Sequence, residues 1–201
     1  MSKRRVIVGI TGASGVWMGE RLIQELESRV DRIYLVCTTS GHAVIRHELK
    51  PHDEGFSLYK AVENQGVKDS VVRFFRNDDF FSPIASGTSA ATDMIVLPCS
   101  MGTLARISAG LSTCLLERAA DVMMKERRRM ILSPREAPYS ALHLRNMLSL
   151  AEMGVDILPP NPGFYTKPQT TLDIVNFIVG KTLDMMGFEH DLYKPWNQRM
   201  R

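Results

Sequence analysis

Apolar residues along this chain fall into two patterns, short unbroken runs and longer stretches at helical spacing, and the two alternate. Val6–Ile10 is the first unbroken run, rich in β-branched residues, as a parallel strand buried on both faces requires. A helix follows from about Val16 to Ser28, with Leu22, Ile23 and Leu26 on one face. Arg32–Thr38 reads as the next strand and Gly41–Leu49 as a short helix stopped ahead of Pro51. Residues 51–70 are polar and weakly periodic, a surface excursion carrying one short helix, and Val71–Phe75 returns as a strand. Phe80–Ala91 is rich in small residues and is expected to be a loop that enters or opens a helix. The order then runs strand Met94–Cys99, helices near Thr103–Ala109 and Thr113–Glu126, and strand Met130–Ser133. A helix over about Ser140–Met153, a strand Val155–Leu158, a proline-rich turn and a helix Thr171–Met186 complete it. The tail from Gly187 is polar and aromatic and predicts no element.

Strands alternating with helices of this length build right-handed βαβ units. The expected fold is therefore α/β: a Rossmann-like open parallel sheet in a three-layer α/β/α sandwich. Without an internal repeat or a low-complexity linker, residues 1–201 make one domain. Such a sheet presents its ligand at the carboxyl ends of its strands, which directs attention to the residues just after each run.

Composition narrows the function classes. The chain has 201 residues, 44% hydrophobic and 23% charged, and a net charge of +3, which gives no basic surface large enough to predict nucleic-acid binding. Lys125–Arg129 reads as a solvated helix end favoured by the helix dipole. Three cysteines, Cys37, Cys99 and Cys114, lie in apolar contexts and are odd in number, so they read as reduced residues of a cytoplasmic protein. No apolar run is long enough for a membrane span, and MSKRRVIVGI leads into a glycine turn as a first strand does, not a signal peptide. The five histidines form no metal-ligand spacing, and Met123, Met124, Met185 and Met186 read as core filler.

Candidate chemistry collects at the strand ends. Gly12-Ala13-Ser14-Gly15 joins a strand to a helix, where small residues let an anion approach free N–H groups, or form only a tight turn with no ligand. The pattern is not GxGxxG, and the second strand ends in Thr38-Thr39-Ser40 where a ribose-binding acid would stand in a nicotinamide-dinucleotide site. Hydroxyls there suit a phosphate. Ser100-Met101-Gly102-Thr103 is a second small-residue turn into a helix, able to hold an oxyanion or the polar edge of a flat ring, or simply to cap the helix. Cys99 beside it has no local histidine and is read as buried rather than nucleophilic. Arg135-Glu136 follows the fifth buried run directly. It is either a surface ion pair or a ligand clamp, in which Arg135 grips a phosphate and Glu136 moves protons.

With ITGASG, ASGTSA, LPCSMGTL, ERAADVMMKERR, PREAP, HLRNML, LPPNPGFYTKPQ and the closing PW in one order, the chain resembles the flavin prenyltransferases over about residues 4–196. That resemblance implies a metal-independent enzyme joining a dimethylallyl group from dimethylallyl phosphate to reduced FMN, giving prenylated FMN for a partner decarboxylase. It implies that Gly12, Ala13, Ser14, Thr38, Ser100, Met101, Gly102, Thr103 and Arg135 bind FMN. Arg118, Lys125, Tyr165 and Lys181 would hold the dimethylallyl phosphate, with Lys125 also among the catalytic residues beside the acid–base candidates Glu48 and Glu136. It further implies a large homo-oligomer, typically a dodecamer, with the site at subunit contacts and residues 188–201 at those contacts. The chain departs from the family at Gly102, where Lys is frequent, at Thr38, where Ser is usual, and at Phe80, where Trp occurs. Glu48 stands in HELK, where an acidic-flanked ETD is more frequent. Two other functions fit such a fold: a non-catalytic flavin-binding subunit of a decarboxylase, and a flavin-dependent cysteine decarboxylase. The second calls for an early catalytic His and an Asn/Met substrate motif, neither of which is found.

Overall fold

The structure is a computed structural model that describes residues 4–66, 70–88 and 91–196. Six strands form one parallel sheet: β1 (Arg5–Ile10), β2 (Arg32–Cys37), β3 (Val72–Phe75), β4 (Asp93–Cys99), β5 (Arg129–Pro134) and β6 (Asp156–Ile157). Their order is β3-β2-β1-β4-β5-β6, so the chain reverses its direction of travel between β1 and β4. That pair is in register from Val6 opposite Asp93 to Gly9 opposite Val96. The β4–β5 register shifts between Val96 and Cys99, where Pro98 has no N–H to donate to a ladder.

The helices are α1 (Val16–Leu26), α2 (Thr39–Glu48), α3 (Leu58–Glu63), α4 (Met101–Ser108), α5 (Leu115–Lys125), α6 (Ala141–Glu152) and α7 (Thr171–Met186). Two apolar cores result. One packs α1, α2, α3 and α7 on the sheet through residues such as Leu22, Ile45, Leu58 and Val179, against Val8 and Leu35. The other packs α4, α5 and α6 on the opposite face through Leu104, Leu116 and Leu150, against Ile7, Val96 and Leu132. The expected three-layer α/β/α fold is present.

Local chemistry sets the ends. Thr170 and Asp173 form a capping box at the start of α7, and Gly187 ends it at φ 75°. Asn77, just past β3, bonds the Leu115 and Leu116 amides, so α5 opens at the carboxyl edge of the sheet. α7 closes at the amino edge, where Arg4 and Arg129 both donate to the Met186 carbonyl.

Some expectations are corrected. No α-helix begins in the loop 80–88; it holds a single 3₁₀ turn, Pro83–Ala85, broken where Ser86 turns extended, while residues 89 and 90 lie outside the described residues. β6 keeps only two of the four expected residues, because it is an edge strand followed by Pro159 and Pro160. The described part of the tail forms no element, as expected; Phe188, Leu192 and Tyr193 pack on the chain's own core, Trp196 is exposed, and 197–201 lie outside the described residues. The Lys125–Arg129 run is not merely solvated, since Arg128 donates to the Gly87 carbonyl and Arg129 pairs with Asp93.

Candidate active site

The chain reverses direction between β1 and β4, the switch point at which an open parallel sheet leaves a crevice past its carboxyl edge, and the segments expected to bind FMN follow β1, β2, β4 and β5 at that edge. Thr11, fully buried, ties its two sides together: its hydroxyl donates to the Pro98 carbonyl (2.8 Å) and accepts from the Ser100 amide (2.7 Å). Gly12-Ala13-Ser14 on one side and Ser100–Thr103 on the other are thereby held on adjacent strands. Gly12 must be small, because a Cβ there would lie 2.5 Å from the Ser40 Cβ. Gly15 opens α1 at φ 99°, a left-handed conformation that favours glycine.

Thr38 caps α2 through the Gly41 amide (3.0 Å), with its hydroxyl 3.2 Å from that of Ser40. Ser100 caps α4 through the Thr103 amide (3.3 Å). Both helices thus direct their first amides, which have no intrahelical partner, toward the crevice. Arg135 reaches the same edge on the β5 exit, anchored by its amide to the Cys99 carbonyl (3.0 Å). Its guanidinium has no carboxylate partner among the described residues, so the surface ion pair with Glu136 is not formed. Glu136 instead accepts from the Ala137 amide (3.0 Å). Hydroxyls, amides and one free guanidinium, with small residues where a ring must come close, fit the phosphate and polar ring edge of FMN.

Glu48, the last residue of α2, is turned back onto the glycine loop. Its Oε2 accepts from the amides of Gly15 (2.8 Å) and Val16 (3.2 Å), so a carboxylate of this chain caps α1. The sequence placed an anion there but not this one.

The cations expected to hold the dimethylallyl phosphate are not brought together within one chain. Arg118 and Lys125 lie on α5, against the loop 82–88: Arg118 donates to the Ala85 carbonyl (3.0 Å) and pairs with Asp121, and Lys125 pairs with Glu126 beside Gly87. Tyr165 and Lys181 belong to the opposite face. Tyr165 sits edge-on to Phe177 of α7 and to Trp196, with ring centroids 5.8 and 5.1 Å apart. Lys181 pairs with Asp184 (3.1 Å), which also accepts from Tyr193 and meets His190. Lys125 lies at the foot of α5, roughly 15 Å along the axis from its start at 1.5 Å per residue.

Cys99 is fully buried, and burial pushes its thiol up to about 12, so no thiolate forms at neutral pH. Cys37 is pushed up by burial as well, while Cys114 is partly exposed at the start of α5. Sequence reasoning missed Thr11 and Glu117. The signal for Thr11 was its hydroxyl at the very end of a buried run. None marked Glu117, whose acidic type in the first turn of a helix normally reads as solvated.

A family model described as Flavoprotein matches residues 1–183. The flavin prenyltransferase UbiX of Halalkalibacterium halodurans is 47% identical over 191 residues, covering 95% of this chain and 92% of its own. The chain belongs to the flavin prenyltransferases. Solved flavin-prenyltransferase-like structures superpose over nearly all of it. AnUbiX (PadA1), in complex with FMN and dimethylallyl pyrophosphate, gives a TM-score of 0.86 at 36% identity, covering 97% of this chain and 98% of its own. A dodecameric FMN-dependent UbiX-like decarboxylase from Escherichia coli O157:H7 gives 0.85 at 39%, covering 96% and 99%. Among the described residues, no helix is long and apolar enough to cross a membrane.

Proposed function

We propose that this flavin prenyltransferase transfers the dimethylallyl group of dimethylallyl phosphate to N5 and C6 of reduced FMN, releasing inorganic phosphate. The observation that carries the reading is the division of the residues into two sets. A shelf of hydroxyls and amides with Arg135 follows the strand ends, and a separate set of cations sits on α5 and α7. Reduced FMN supplies an electron-rich N5 and the neighbouring aromatic carbon C6.

Gly12, Ala13, Ser14, Thr38, Ser100, Met101, Gly102, Thr103 and Arg135 hold it. Arg118, Lys125, Lys181 and the Tyr165 hydroxyl neutralise the phosphate as the allylic C–O bond breaks and its electron pair leaves with oxygen. Glu136 exchanges a proton with the departing phosphate. Ring closure breaks the alkene of the transferred group: one alkene carbon takes a proton from the released phosphate, the other bonds C6, and Glu48 takes the proton that C6 loses, from a position fixed by the Gly15 and Val16 amides.

Because the sheet separates Arg118 and Lys125 from Tyr165 and Lys181, the complete clamp draws on more than one subunit. A closed homo-oligomer, with twelve copies as the working number, supplies the second face. Exposed Phe164 and Trp196 beside Tyr165 give that boundary an apolar lining. The product passes to a prenylated-FMN-dependent decarboxylase in the cytoplasm, a setting that suits the free cysteines.

Incubation with reduced FMN and dimethylallyl phosphate, followed by mass spectrometry of the extracted flavin, tests the activity. The flavin gains one five-carbon unit. Unchanged flavin with tight FMN binding would instead mark a non-catalytic flavin-binding subunit, and release of CO₂ from a C-terminal cysteine peptide would mark a cysteine decarboxylase.

A further inference from the structure

Glu117 is a carboxylate only 2% exposed, in the first turn of α5, and no step above uses it. It accepts from the Thr113 amide (2.9 Å) and hydroxyl (2.6 Å) and from Nε of Arg106. Burial pushes its carboxyl up, but the hydrogen bonds from Thr113 and Arg106 outweigh that and hold it below the usual carboxylate range. A buried charge kept ionised in this way costs desolvation that an apolar residue would not, so packing alone does not account for it.

Arg106, at the far end of the contact, remains 44% exposed. Its second terminal nitrogen donates to the Thr103 hydroxyl (3.3 Å), which also accepts from the Ser100 hydroxyl (3.0 Å). Its other terminal nitrogen lies 3.5 Å from where a Gly102 Cβ would stand. One guanidinium, aimed by one buried carboxylate, therefore covers the opening turn of α4.

We infer that Arg106, oriented by Glu117, is a positioning residue for the flavin shelf and places a fixed positive charge beside it, favouring the more electron-rich reduced flavin over the oxidised form. The inference rests on the reading of Ser100 and Thr103 as flavin contacts. A cation close to a bound ring stabilises whichever redox form carries more negative charge, and it does so most where water is excluded.

The test is the ratio of affinities for reduced and oxidised FMN, measured anaerobically on the full-length assembly, because a purely structural role would weaken both forms alike. Arg106→Gln is expected to lower that ratio about tenfold, the scale of one charge-assisted hydrogen bond. Arg106→Lys, which keeps the charge, retains most of the ratio. Glu117 acts on the ratio only through the guanidinium, so the double variant Arg106→Gln with Glu117→Gln has the ratio of Arg106→Gln alone. Thr113→Val, which removes a Glu117 contact on the side away from Ser100, lowers the unfolding temperature and leaves the ratio unchanged. A wild-type ratio in Arg106→Gln overturns the inference, and so does a loss in Thr113→Val equal to that in Arg106→Gln. If Ser100→Ala and Thr103→Val bind both forms as the wild type does, the placement of the flavin itself is what fails.

Discussion

Replacing Glu48 separates the capping role seen in the structure from the base role proposed for the same carboxylate. α1 opens at Gly15, which has no side chain to cap it, and its first turn contains no acidic residue. Glu48 supplies both missing parts from 33 residues away, accepting from the Gly15 amide at 2.8 Å and the Val16 amide at 3.2 Å. Losing an N-cap acceptor costs roughly 0.5–2 kcal/mol, and losing the charge at the helix opening roughly 0.3–1 kcal/mol. Since Glu48 is exposed, the lower half of each range applies, giving about 1.5 kcal/mol for Glu48→Ala and about 0.5 kcal/mol for Glu48→Gln, which keeps an acceptor. At about 2–4 °C per kcal/mol for a chain of this size, Glu48→Ala should unfold roughly 3–6 °C lower and Glu48→Gln within about 2 °C of the wild type. Product formation should order the variants differently. Both lose the base, so both fall by about 10²–10⁴-fold while FMN binding persists in Glu48→Gln. Thermal unfolding of the ligand-free protein and the rate of prenylated-flavin formation, run side by side, check this. An unchanged unfolding temperature in Glu48→Ala would remove the capping role, and a wild-type rate in Glu48→Gln would remove the base.

Four further outcomes follow from the site. Glu136→Gln should leave FMN affinity intact and slow product formation by about 10²-fold, read in single turnovers; a wild-type rate makes the phosphate its own proton carrier. Iodoacetamide at neutral pH should alkylate Cys114 and spare Cys37 and Cys99, whose thiols burial pushes up, to about 12 for Cys99; peptide mapping that finds Cys99 modified refutes this. Lys125→Ala and Lys181→Ala should each be inactive alone, yet a randomly mixed assembly should regain up to about a quarter of its sites if the two lysines come from different subunits. No recovery on mixing would place them in one subunit. Burial pushes the Asp184 carboxyl up, but hydrogen bonds from Tyr193, Lys181 and His190 outweigh it and hold it below the usual range. A carboxyl lowered on folding adds stability that is complete above its unfolded pKa and is lost as pH falls through the folded one. The stability gap between wild type and Asp184→Asn should therefore close below about pH 4, as denaturant titrations at several pH values would register.

Periodicity located every strand, and every α-helix except α3, to within a few residues, because unbroken β-branched runs such as VIVGI and staggered stretches such as that of α7 carry their own geometry, whereas α3 lies in the weakly periodic residues 51–70. It failed where tertiary context decides. The loop 80–88 has helix-compatible small residues, but its backbone is committed to α5 and to Arg128 through the Ala85 and Gly87 carbonyls. Residues on strand exits were legible as a group, since a parallel sheet brings all carboxyl ends to one edge. The separation of Lys125 from Lys181 was not, because it depends on which face each helix covers, and crossover handedness settles that only once the strand order is known. Glu48 on the α1 amides and Glu117 under Arg106 are contacts over tens of residues or between helices, to which no local spacing points.

The Thr11 tie has a consequence for how this protein can diverge. It fastens the two turns proposed to bear the flavin to β1 and β4, the central strands of the sheet, so those turns should open late in hydrogen exchange. Phe80, Phe164 and Trp196, exposed apolar residues available to meet a prenyl chain under the proposed function, stand instead on loops and the tail, where local opening costs little. On the proposed function, substitution in those outer segments would reshape the allylic substrate accepted without loosening the grip on the ring, whereas a change at Thr11 would alter both turns at once.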